Sequence, residues 1–212
     1  MIQNYTIEHV HLLKKGGFNM ANIGLRNAKY NLIDFKTKKY KQLKENKVPI
    51  LGKLIAGKIE EERSEASLFG DDALAEYVSS FSGAKLNLTV DDVEDPAYAE
   101  LKGCTITEAE ITENENDEAP EIGYGHIVTK MIRGVKKYKV EFLPRVRITK
   151  ISSDAKTKGE SIEFNTVSLE GKVMALETDI NGLKAGDWRK IETFATLKEA
   201  TDYLDGLLTP LV

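Results

Sequence analysis

The chain has 212 residues, of which 30% are charged and 41% hydrophobic, and a formal net charge of −4 at pH 7. That balance is ordinary for a globular fold, and the length suits one large domain or a domain with extended arms. No apolar run approaches the roughly 20 residues that a membrane helix needs, and the acidic balance argues against a whole-chain affinity for nucleic acid.

The single cysteine, Cys104, excludes an internal disulfide and suits synthesis in a reducing cytoplasm. Residues 1–19 fit the rest poorly. They carry a mild apolar stretch from Val10 to Leu13, without the basic start and small-residue cleavage site of a signal peptide. Codons for Lys14-Lys15-Gly16-Gly17 can spell AAGGAGG, a bacterial ribosome-binding site, and Phe18 and Asn19 then supply a spacer before Met20. Translation is therefore expected to begin at Met20, with residues 1–19 a non-native leader and 20–212 a single domain. The His9-x-His11 pair, a possible metal motif, falls in that leader and is set aside.

From Met20 the pattern is mostly strands. Ala28 to Asp34 reads as a first short strand, followed by a lysine-rich turn. Leu51 to Glu61 supplies another, and polar Glu61 to Asp72 reads as an exposed loop or irregular strand. Ala84, Leu86, Leu88 and Val90 alternate with Lys85, Asn87 and Thr89, the two-residue period of a strand with one buried face. With Leu74 to Phe81 before it, the Ser82-Gly83 signal predicts a hairpin. Asp95 to Gly103 reads as a short helix with Asp95 at the N-cap, Pro96 at N1 and Gly103 at the stop.

Cys104 and Ile106 share one strand face, which predicts a buried thiol, and the parity change to Ala109 and Ile111 predicts a bulge near Thr107. An acidic loop then runs from Glu113 to Glu118. Ile122 to Arg133 and Val135 to Val146 predict a hairpin turning at Arg133-Gly134, with Pro144 at an edge or a bulge. Ile162 to Leu176 predicts strand interrupted at Gly171, and Trp188 to Phe194 a last strand. Thr196-Leu-Lys-Glu199 is a capping box that opens a C-terminal helix. The fold class is mainly β, a β-sandwich or partly closed barrel with a short helix after the central hairpin and a C-terminal helix.

The order of several segments resembles the major tail proteins of long-tailed bacteriophages. They are Met20-Ala-Asn-Ile-Gly-Leu-Arg-Asn-Ala-Lys-Tyr30, Leu68-Phe-Gly-Asp-Asp72, the strand-then-helix block from Phe81 to Gly103, Tyr138-Lys-Val-Glu-Phe-Leu-Pro144, Gly186-Asp-Trp-Arg189 and the closing helix to Leu204. The resemblance implies a virion protein made in the bacterial host cytoplasm. Its copies would stack as hexameric rings into a tail tube, with strands of all subunits around a lumen through which genomic DNA slides. Partners would be other copies and other tail proteins. A tube subunit of a tail-derived bacteriocin particle would have the same sequence features.

Chemistry-bearing motifs are few, so no enzyme, cofactor or metal site is assigned. His126 lacks a nucleophile-elbow companion, and Gly123-x-Gly125 has Val128 where a dinucleotide fingerprint needs glycine. Asp91-Asp92-Val-Glu-Asp95 lacks the spacing of an EF-hand loop. Charge segregation is the clearer signal. Lys36 to Lys47 carries six lysines against Glu45, Glu60 to Glu76 seven acids against Arg63, Asp91 to Glu121 twelve acids against Lys102, and Thr129 to Lys150 eight bases against Glu141.

Blocks of alternating sign suit a subunit whose basic surface meets a neighbour's acidic one. Lys36, Lys38, Lys39, Lys41, Glu60, Glu61, Glu62, Asp71 and Asp72 are the expected subunit contacts. Lumen-facing residues are expected to lean acidic, since inward cations would bind phosphates and slow the DNA. A competing reading is a nucleic-acid-binding β-barrel module using Lys130, Arg133, Lys136, Lys137 and Lys139, with Tyr138 as the one aromatic inside the cluster.

Overall fold

The structure is a computed structural model and describes residues 20–70, 73–108, 110–153 and 165–210. The leader 1–19, with His9 and His11, and the contact candidates Asp71 and Asp72 lie outside the described residues. In chain order the elements are β1 (Met20–Leu32), β2 (Ile50–Gly52), β3 (Leu54–Gly70), β4 (Ala73–Val90), α1 (Asp95–Lys102), β5 (Thr105–Thr107), β6 (Glu110–Thr112), β7 (Glu121–Ile132), β8 (Val135–Ser153), β9 (Val167–Val173), β10 (Lys190–Phe194) and α2 (Leu197–Leu208).

One antiparallel sheet runs in the order β2-β1-β7-β8-β9-β4-β3, with β10 also on β8, and β5 and β6 form a separate hairpin. The sheet folds over on itself. Its two ends, β2 and β3, are joined by the chain at Lys53 but not by a ladder, so the architecture is sandwich-like and not a closed barrel. The corner is fixed by Asp91, whose carboxylate accepts the Lys53 N–H at 2.7 Å while its own N–H reaches the Lys53 carbonyl at 3.0 Å.

Two apolar cores result. The inner one packs Tyr30, Leu51, Leu86, Leu88, Ile122, Tyr124, Leu143, Val146, Ile148 and Leu169 with Ala97 and Leu101 of α1. The second lies on the outer face of β7 and β8, where Ile127, Val140 and Phe142 are roofed by Ala200, Leu204, Leu207 and Leu208 of α2. Each large side chain so buried contributes about 1.5–3 kcal/mol. Strand β8 serves both cores because it changes parity. Three steps from Leu143 to Val146 lie opposite two from Tyr124 to Ile122, a bulge at Pro144-Arg145. Pro144 thus sits inside a central strand at a bulge, where its carbonyl accepts from the Tyr40 hydroxyl at 2.9 Å.

The Arg133-Gly134 turn is where the sequence puts it, with φ of 51° and 78° at the two positions. The capping box forms as expected, Thr196 accepting from Glu199 N–H and Glu199 from Thr196 N–H. Three expectations are corrected. Ser82-Gly83 is a bulge within one continuous β4, not a turn, because Glu62 pairs with Gly83 and Arg63 already with Phe81. Polar Glu61 onward, by contrast, takes the second of its two expected forms, an exposed and irregular strand with register shifts at Glu62/Arg63 and Leu68/Phe69. Gly171 does not interrupt β9, for it pairs with both Leu86 and Ile148. At Thr107 there is a reversal between β5 and β6 instead of a bulge, with Glu108 at φ 53°.

Two smaller shifts concern α1. Its N-cap is Glu94 in place of Asp95, whereas Gly103 ends it at φ 74° as expected. Cys104 follows in the exit turn, half-buried and off any strand, with its thiol near the Ala99 carbonyl at 3.8 Å.

Candidate self-assembly interface

Strands β3 and β4 continue as a two-stranded arm past the region where β9 joins them. The ladder of β4 with β9 covers Ala84 to Val90 only, while β3 and β4 stay paired from Arg63–Phe81 to Gly70–Ala73. At about 3.3 Å per residue the arm projects about 27 Å. Its root is pinned by Phe81, which stacks on Trp188 at 4.6 Å, and by Arg63, whose Nε donates to Ser79 Oγ at 2.9 Å. Beyond the root, Leu68, Tyr77 and Val78 are 61%, 53% and 54% exposed. The register puts Ala66, Leu68, Glu76 and Val78 on one face, and Glu65, Ser67, Tyr77 and Ser79 on the other. Among the described residues no third strand joins this stretch, and a two-stranded hairpin alone is marginal in water.

Other borders are open too. Among the described residues, β3 pairs with β4 alone and β1 pairs with β2 only at Ala28 and Lys29, which leaves the first half of β1 without a strand on that side. Such edges are templates for another strand.

The lysine-rich segment is a tight turn, not a loose loop. Ile33 bridges to Tyr40, Asp34 N–H bonds the Lys39 carbonyl at 2.8 Å, and Lys38 N–H bonds the Asp34 carbonyl at 2.9 Å. The Asp34 carboxylate accepts the Lys36 and Thr37 N–H groups at 3.0 and 2.7 Å, which holds its pKa below the ordinary value. Phe35 is thereby held 84% exposed at the tip, with the Lys38 ammonium over its ring at 4.7 Å. Beside it runs a groove of about 250 Å³ whose lining mixes apolar Ile33, Phe35 and Pro120 with Lys38 and Arg147 and with Glu118 and Glu121.

The contact candidates fall into two groups that do not pair with each other within the chain. Lys36, Lys38, Lys39 and Lys41 all belong to the turn or its exit. Glu60, Glu61 and Glu62 sit at the arm's root, where they pair with Lys58, Arg63 and Lys85. Those pairs are largely exposed and each contributes little. Sequence reasoning missed Phe35, Leu68, Tyr77 and Val78. Their signal was apolar residues inside highly charged runs, with no alternation to place them in a core.

The basic block from Thr129 to Lys150 is dispersed. Arg145 makes a two-point contact with Glu121 at 2.9 and 2.7 Å, which holds the Glu121 carboxyl below its ordinary value. Glu141 is buried and pairs with Lys139 and, at 2.6 Å, with Arg189. Burial, then Lys130 and Arg189, pull the Lys139 pKa down to about 8. Tyr138 packs against the outer core, so it is not a free platform for a base. His126 is buried opposite Glu141, and burial followed by Lys139 and Arg189 lowers its pKa to about 4.

Gly123 and Gly125 are packing glycines: an added Cβ would lie 2.6 Å from the Tyr40 ring or 2.4 Å from Leu204. Asp91 and Asp92 spend oxygens on backbone N–H groups of Lys53, Asp92 and Val93. In comparisons with known proteins, no family model and no curated protein matches the chain.

Proposed function

We propose that this chain is a structural subunit of a bacteriophage tail tube, self-assembling through its open sheet borders into stacked hexameric rings around a DNA-conducting channel. The observation that carries the reading is the β3–β4 arm, a projecting hairpin with exposed Leu68, Tyr77 and Val78 and, among the described residues, no third strand. A neighbouring copy supplies what it lacks. The free edges of β1 and β3 give lateral contacts the same logic: one head-to-tail contact repeated around a closed rotation makes a ring, and a second along the axis makes a stack.

The ordered motifs from Met20 to the closing helix support the same reading. On it the protein resides in the virion tail, after assembly in the host cytoplasm, with its own copies and other tail proteins as partners. DNA passes without specific binding. The solvent face of β3, β4, β8 and β9 is compatible with such a lining, because Lys58, Lys85 and Lys150 are each matched by Glu60, Glu62 and Glu170. Paired cations offer phosphates less than free ones do.

Electron microscopy of the concentrated protein tests the reading. Hollow filaments of uniform width are the expected result, and monodisperse particles at every concentration would sink it. In a resolved tube, Lys130, Arg133, Lys136 and Lys137 are expected away from the channel, with acidic residues prevailing on its wall.

A further inference from the structure

We infer that the arm of one copy docks into the groove beside the Asp34–Lys39 turn of another, so that the two charge blocks are the two halves of one contact. The inference rests on the self-assembly reading and adds which surfaces meet. The described residues of the arm carry Glu65 and Glu76 against Arg63, and the turn with its exit holds Lys36, Lys38, Lys39 and Lys41 against Asp34. Opposite potentials set orientation and register, and like-charge juxtaposition at the same place costs several kcal/mol.

The apolar parts match as well. Leu68 and Val78 share one arm face, and the groove lining includes the apolar Ile33, Phe35 and Pro120. Phe35 on its hydrogen-bonded turn is a pre-ordered aromatic anchor of the kind that dominates interface energetics. The arm does not satisfy the groove of its own chain. Among the described residues its strands pair only with each other beyond the root, and Glu60, Glu61 and Glu62 already have partners on β3 and β4.

The test is a charge exchange in the full chain. One variant carries Lys36→Glu, Lys38→Glu, Lys39→Glu and Lys41→Glu, the other Glu65→Lys and Glu76→Lys. Assembly is followed by light scattering and microscopy, with thermal melting to show that each variant is folded. Each variant alone is expected to need about tenfold or more protein to assemble, and a one-to-one mixture to recover much of the loss.

A second measurement does not depend on the charged variants. Mixing Cys104→Ala chains that carry Thr37→Cys with others that carry Leu68→Cys should give a disulfide dimer on oxidation, only under assembling conditions. Tubes that form normally from both charge variants, or a mixture that fails to recover, would overturn the inference and leave the tube reading standing. Wild-type protein that never assembles would overturn both.

Discussion

The two halves of the β3–β4 hairpin are built from the same pair of strands and live in different surroundings. Near the body, Leu86, Leu88 and Val90 are buried under the folded-over sheet, and β9 completes the ladder on the far side of β4. Past the Gly83 bulge the two strands run on paired with each other, with one further register shift between Leu68 and Phe69, and among the described residues no other strand joins them. Strand order in the first half is stabilised by burial. In the second half hydrogen bonding alone remains, whose net worth is modest. The comparison teaches that burial holds the body, whereas the arm rests on its own strand pairing, and on the proposed reading a neighbouring copy is what would add burial there.

Four substitutions sharpen or break that contrast. The largest effect belongs to the body: Phe142→Ala empties the core beneath α2 and is expected to cost about 3–5 kcal/mol in urea unfolding. Next comes acidification. His126 is neutral in the fold and titrates near 6.5 when unfolded, so its contribution is complete above pH 6.5 and is lost as pH falls towards 4. Between pH 6.5 and pH 5 the wild type is expected to lose about 2 kcal/mol through this group, and His126→Leu to lose correspondingly less. Thr196→Ala removes the α2 cap at about 1 kcal/mol, read as a lower melting temperature. Val78→Ala on the arm should change monomer stability by no more than about 0.5 kcal/mol. A large loss from Val78→Ala in dilute monomer would erase the distinction between body and arm.

Much of the fold was legible because local signals and burial agree. The Arg133-Gly134 turn, the Thr196 capping box and the alternation from Ala84 to Val90 all appear where the residues place them. The failures have a common cause. Ser82-Gly83 and Gly171 carry the same glycine signal as a turn, yet glycine also serves a bulge or a place where neighbouring side chains crowd the backbone. At Gly171 an added Cβ would meet Val146 and Ile148 at 3.1 and 3.2 Å. Only the pairing partners, remote in sequence, decide between them.

The arm was hidden for a related reason. Its polar composition has no buried face to impose a period, so Glu61 to Asp72 read as a loop or an irregular strand without a choice between them. The charged contact candidates could be named from the sequence as blocks. Phe35 could not, because the ring's exposure depends on the hydrogen bonds that Asp34 makes around it.

Hydrogen exchange of the arm's backbone amides, compared between dilute and concentrated protein, addresses the central idea most directly. Residues 63–80 should exchange quickly in dilute solution while Ala84 to Val90 stay protected, and should become protected as tubes form. Protection of the arm that is already complete in the dilute monomer, or unchanged exchange at every concentration, would contradict it.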